Sequence, residues 1–113
     1  MNETNTTRLT GKYAKLRDDL IQALLETIDL EYTEDGGTCN FDSPVLSLPQ
    51  WTERKLMRAA EEAGCRLWRW SGSLWVLSFR TSGQGNRRTR RAEAIAHKLE
   101  ELGYHTNVYY QMD

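Results

Sequence analysis

The sequence has no long apolar run, and no stretch approaches the roughly 18 uninterrupted apolar residues of a membrane helix. Residues 1–7 are polar and lack both the basic and the apolar region of a signal peptide. Cysteine is scarce, with Cys39 and Cys65 the only two among 113 residues. We therefore expect a cytoplasmic protein that does not enter a membrane and whose thiols stay reduced.

Motifs for catalysis and metal binding are also missing. The two histidines, His97 and His105, lie in no pattern with metal-ligand spacing. No Cys-x-x-Cys, His-Glu-x-x-His, Gly-x-Ser-x-Gly or Walker motif occurs. The sequence therefore predicts a protein that is not an enzyme, with no metal site and no cofactor.

A strong net charge is absent as well, since the chain carries −1 at neutral pH. The two halves differ, however. Residues 1–60 hold 7 basic and 10 acidic side chains, whereas residues 61–113 hold 8 basic and 6 acidic ones. Each half could face a partner of opposite sign, but a solvated surface explains the same distribution.

Apolar periodicity predicts a single α+β domain. Residues 1–7 are expected to be disordered, residues 8–30 to form an N-terminal helix, and residues 38–112 to form the remaining core. Thr52 is a plausible N-cap and Gly64 a plausible C-terminal stop for a second helix. The predicted elements are a helix from Arg8 to Leu30, an extended segment Thr38–Leu48, a helix Glu53–Ala63, strands Cys65–Trp70 and Leu74–Arg80, a helix Arg87–Leu102 and a strand His105–Met112.

After the first helix, this order is the ferredoxin-like βαββαβ order, in which an antiparallel four-stranded sheet packs two helices on one face. Pro44 interrupts the first extended segment, which suggests an edge, a bulge or a kink there. The additional N-terminal helix could cover the open sheet face, extend the helical layer or mediate a dimer.

A basic cluster begins the third helix, where the helix dipole disfavours positive charge. An anion docked on the preceding glycine-rich loop would explain it, because helix N–H groups and guanidinium forks both bind phosphate. The alternative is a solvated face, or guanidinium groups that bridge carboxylates across the fold. For stability alone, we expect the arginines at 87, 88 and 91 to be dispensable. The candidate residues for an anion or nucleic acid are Ser82, Gly83, Gly85, Asn86, Arg87, Arg88, Arg90, Arg91 and Lys98.

The hairpin of the two middle strands is rich in tryptophan. Strand alternation places Trp68 and Trp70 on one side, and Leu67 on the other. If helices cover only one face, the other resembles the stacking platform of an RNA-recognition module, although the RNP consensus is absent. The preferred expectation is that the N-terminal helix covers these aromatic side chains.

An acidic stretch offers a third candidate surface. Its residues could imitate the phosphates of a nucleic acid and neutralise a basic groove on a protein partner. The candidate protein-binding residues are Glu31, Glu34, Asp35, Asp42, Trp68 and Trp70. Most acidic loops, however, are simply solvated.

Three segments, GGTCNFDSP at 36–44, TSGQGNRRTR at 81–90 and VYYQMD at 108–113, carry a resemblance over roughly residues 30–113. They resemble a family of small proteins carried on conjugative and other mobile elements of gut Firmicutes, for which we carry over no binding or catalytic residues. Small proteins of such elements often inhibit host defences, including CRISPR–Cas nucleases, by occupying a nucleic-acid channel. The resemblance therefore implies a non-enzymatic inhibitor that binds a defence protein, with direct nucleic-acid binding as the alternative.

Overall fold

The computed structural model of the chain describes residues 8–28, 42–79 and 86–110. Its elements follow the predicted order, with three helices and four strands in the described residues. In chain order they are α1 (Gly11–Glu26), β1 (Ser43–Ser47), α2 (Glu53–Ala63), β2 (Arg66–Ser71), β3 (Leu74–Ser78), α3 (Asn86–Glu101) and β4 (His105–Tyr109). The predicted α+β class is confirmed.

The four strands form one sheet in the order β2-β3-β1-β4, and each neighbouring pair is antiparallel. The edges are therefore β2 and β4. Pro44 does not mark an edge, because β1 lies in the middle of the sheet. It lies one residue before Val45, where pairing of β1 with β3 begins, so its missing N–H falls outside that ladder.

Local signals account for the boundaries of α2. Thr52 precedes the helix in an extended conformation, and Gly64 follows it with φ of 91° in the left-handed region. The N–H groups of Gly64 and Cys65 then bond to carbonyl oxygens of the last turn. The predicted helix Glu53–Ala63 is confirmed to the residue.

All three helices pack on the same side of the sheet. Helix α2 lies against β2, and α3 lies against β1 and β4. Alternate side chains of the central strands enter the shared core, among them the fully buried Leu46 and Leu77. The opposite side of the sheet has no helix over it among the described residues.

Helix α1 extends the helical layer. It packs against α2 and α3, and within the described residues no strand comes equally close. Its Leu16, Leu20 and Ala23 are fully buried in the same core as the sheet residues. The preferred expectation that this helix covers the hairpin tryptophans is therefore wrong, because its apolar stripe is buried on the other side of the sheet.

Candidate functional site

The open face of the sheet presents the hairpin tryptophans to solvent. The predicted alternation in β2 is confirmed, since Leu67 is buried in the core while Trp68 and Trp70 are 50% and 46% exposed. Burying such a ring is worth a few kcal/mol, so these two half-exposed rings form an apolar patch suited to contact with a ligand.

A row of side chains crosses this face from edge to edge. The strand register aligns Trp68 with Val76, Val76 with Val45, and Val45 with Asn107. Both valines are nearly buried, at 5% exposure or less. The middle of the open face is therefore apolar and closely packed, and its rim is aromatic and polar.

A second aromatic contact reaches across the same face. Trp70 on β2 and Tyr109 on β4 belong to opposite edges of the sheet, yet their ring centroids lie 4.7 Å apart with planes at 52°. The contact therefore spans the two central strands. Tyr109 is 37% exposed, so this pair also presents ring surface to solvent.

The hairpin that carries the tryptophans is held from its buried side. Arg69 donates to the carbonyl oxygen of Gly72 at 2.7 Å and pairs with Glu53 of α2 at 3.3 Å. Its guanidinium also lies 5.0 Å from the centre of the buried Trp75 ring. A bulge between Arg69 and Ser71 shifts the register just where Trp70 lies. These contacts hold the hairpin that carries the exposed rings.

The open face carries no carboxylate among the residues that the structure describes. The register places one arginine, Arg66, on this side of β2, next to Trp68. The remaining residues of this face are Ser43, Val45, Ser47, Leu74, Val76, Ser78, His105, Asn107 and Tyr109. An anionic partner therefore meets no like charge here.

Arg91, a predicted anion-binding residue, is buried instead. It is 4% exposed and donates to the carbonyl oxygen of Leu24 at 3.1 Å and to the hydroxyl of Thr27 at 3.2 Å. Its guanidinium lies 5.2 Å from the centre of the Phe79 ring. The expectation that Arg91 faces a partner is wrong, because its charge and its donors are used to hold the end of α1.

Lys98, another predicted anion-binding residue, is also partly used within the fold. Lys98 pairs with Glu26 of α1 at 3.1 Å and with Glu101 at 3.8 Å. Arg90 is half-buried, and Asn86 begins the helix. The loop residues Ser82, Gly83 and Gly85 and the side chains of Arg87 and Arg88 lie outside the described residues, so their predicted role stays a prediction.

Asp42, one residue of the predicted acidic surface, is buried in the fold. Asp42 is 4% exposed and accepts a hydrogen bond of 2.6 Å from the Thr89 hydroxyl in the first turn of α3. It therefore supports the start of that helix and is not available to a protein partner. Glu31, Glu34 and Asp35 lie outside the described residues.

A polar cluster joins α1 to the end of α3. The apolar periodicity of the sequence gave no sign of it. Asp19 of α1 is 8% exposed and accepts hydrogen bonds from Lys15 and from the Tyr104 hydroxyl, both at 2.6 Å. Burial and this carboxylate both raise the pKa of Tyr104. Lys15 also donates to the carbonyl oxygen of Leu102 at 3.2 Å. These groups satisfy one another, which indicates a structural role.

The described residues hold neither a metal-ligand cluster nor an exposed cysteine thiol. No cluster of three or more His, Cys, Asp or Glu side chains there could hold a metal ion. Cys65 is buried as a free thiol, and burial raises its pKa to about 12. A thiol that stays protonated at neutral pH is a poor nucleophile.

Comparison with protein-family models, curated proteins and solved structures finds no match for this chain. The resemblance to proteins of mobile elements is not tested by these comparisons and stays a prediction. Among the residues described, no helix has the length and apolar character needed to cross a membrane.

Proposed function

We propose that this is a non-enzymatic binding protein whose open sheet face holds single-stranded nucleic acid. One observation carries the proposal: Trp68, Trp70 and Tyr109 expose ring surface on a face with no helix and no carboxylate among the described residues. Bases stack on such rings in a sequence-tolerant way, at about 1–3 kcal/mol per base.

The arrangement favours a single strand over a duplex. Unpaired bases can be splayed out and laid on an aromatic ring, whereas the bases of a duplex are already stacked on one another. Trp68 offers one ring, and the Trp70–Tyr109 pair offers ring surface at a second position. Arg66 beside Trp68 adds a positive charge at the β2 edge of this face.

The proposed fold is ferredoxin-like, as the order of elements predicts. Two features support it. Both β1 and β2 run antiparallel to β3, which lies between them, so α2 connects two parallel strands that are not neighbours. In the same way, α3 connects β3 and β4 around β1. Sheets of this kind leave one face free for a ligand.

The test is the affinity for a fluorescently labelled oligothymidylate, measured by anisotropy at fixed salt. We expect Trp68→Ala to weaken binding about tenfold, in line with the loss of one stacked base. Trp51→Ala is the matched control, because Trp51 packs edge-on against Tyr13 of α1, at 5.2 Å, away from the open face. Equal affinities for the two variants would overturn the proposal.

A second test asks whether the ligand is a protein instead of a nucleic acid. Exposed tryptophan, tyrosine and arginine are also common at the centres of protein interfaces. Pull-down from a host lysate, with and without nuclease treatment, separates the two cases. Retention of a defence nuclease after nuclease treatment, lost on Trp68→Ala, would replace nucleic acid by a protein as the ligand.

A further inference from the structure

A groove lies beside the open face, between α2 and the edge strand β2. Its volume is about 770 Å³, within the usual range of ligand-binding clefts. The half-exposed Met57 gives it an apolar floor, above the buried Leu67, and the Trp68 ring lines one side. Trp68 therefore belongs to both the groove and the open face.

The groove carries more positive than negative charge. Arg54, Arg58 and Arg66 line it, against a single carboxylate, Glu61. Arg58 pairs with Glu62 at 3.1 Å. Neither Arg54 nor Arg66 forms an ion pair within the described residues, and both are exposed. Two guanidinium groups are thus free to bind phosphate.

We propose that this groove binds the sugar–phosphate backbone of the strand whose bases stack on the open face. This inference rests on the proposed function. Because Trp68 is common to the two surfaces, a strand with a base on that ring continues over the β2 edge into the groove. Arg54 and Arg66 then each contact a phosphate, while the exposed part of Met57 lies against the sugars.

The β2 edge itself is poorly suited to another occupant, an added peptide strand. The bulge between Arg69 and Ser71 interrupts its row of backbone groups. Charged side chains and bulges of this kind protect sheet edges from further pairing. The groove therefore fits a ligand that contacts side chains and not the strand backbone.

The test measures how the affinity for oligothymidylate depends on salt. We expect Arg54→Gln and Arg66→Gln each to lower the slope of log K against log salt by about 0.7, the value for one phosphate contact on a single strand. Lys55→Gln is the matched control for charge. Lys55 follows Arg54 on α2 but lies 5.4 Å from the Tyr13 ring, on the α1 side. It should leave the slope unchanged.

Glu61→Gln tests the effect of removing a negative charge from the groove. Removing the carboxylate that lines the groove should tighten binding at low salt, whereas Glu100→Gln, an exposed acid of α3, should not. All five positions are exposed or on the rim, so circular dichroism is expected to show unchanged folding.

The outcomes separate the two proposals. If Trp68→Ala weakens binding but both arginine variants match Lys55→Gln, the groove inference is overturned and the proposed function stands. If the arginine variants lower the slope while Trp68→Ala matches Trp51→Ala, the open face is not the base-binding surface and both proposals are wrong. Absence of oligothymidylate binding overturns both as well.

Discussion

Arg91 is the residue whose role changes most between sequence and structure. On the sequence it is one of four arginines crowded at a helix start. In the fold it bonds to Leu24 and Thr27, which lie three positions apart at the end of α1, and it contacts the Phe79 ring. A carbonyl oxygen at a helix C-terminus lacks an intrahelical donor, and a guanidinium supplies one. The charge that is unfavourable for α3 therefore stabilises α1.

Replacing Arg91 should destabilise the protein, contrary to the expectation from sequence. Arg91→Ala removes two charge-assisted hydrogen bonds and leaves a buried carbonyl and hydroxyl without that donor, at a cost of about 3 kcal/mol. Urea denaturation followed by circular dichroism measures the loss. Arg54→Ala, at an exposed position of α2, should change the free energy of unfolding by less than about 0.5 kcal/mol. Similar values for the two variants would show that the Arg91 contacts contribute nothing.

Helix α1 is the element whose placement the sequence left open. Its stripe of leucines required a partner, and three partners were possible. In the structure Leu20 is fully buried among residues of α2, α3 and the sheet, while Lys15 and Asp19 bond to groups near the end of α3. The helix is therefore part of the main core and not a separate element attached to the domain.

Truncating a core leucine of α1 should cost as much as truncating one of α2. Leu20→Ala and Leu56→Ala both remove a fully buried side chain, so each should lower the free energy of unfolding by about 2–5 kcal/mol. Leu25→Ala, on the same helix but 63% exposed, should cost less than about 1 kcal/mol. A small effect of Leu20→Ala beside a large effect of Leu56→Ala would mean that α1 docks only weakly.

At alkaline pH, the stability of the whole molecule should change with pH because two buried side chains, Cys65 and Tyr104, lose their protons there. Burial raises the pKa of the Cys65 thiol to about 12, against 9.0 for an unburied thiol, and the pKa of Tyr104 is raised as well. The folded state therefore holds these protons more tightly than the unfolded state. Their contribution is complete below about pH 9 and is lost as the pH rises towards 12.

We expect the free energy of unfolding to fall between pH 9 and 12, by up to about 1.4 kcal/mol per pH unit for each group. Cys65→Ala should make this decline shallower, even though the variant is less stable at pH 7. Urea titrations across this pH range measure it. An equally steep decline in Cys65→Ala would show that the thiol does not couple folding to pH.

Much of the architecture follows from short-range patterns. Thr52 and Gly64 bound α2 because capping depends on groups within one helical turn. The face of β2 that carries Trp68 follows from alternation alone. The sequence therefore identified which face of β2 carries the tryptophans, but it did not predict their exposure, because it placed the N-terminal helix over them.

The sequence by itself determined which segments are helices and strands, and which side of each is apolar, because those properties depend on residues two to four positions apart. Only the tertiary structure decided which surfaces remain free. Arg91 meets Leu24 across 67 positions, and Trp70 meets Tyr109 across the whole sheet. Such contacts require the complete chain to be packed, so no local periodicity encodes them. For that reason the sequence offered both the arginine cluster and the tryptophan hairpin as candidate sites, and only the fold shows that Arg91 is buried and that Trp68 lies exposed beside a groove.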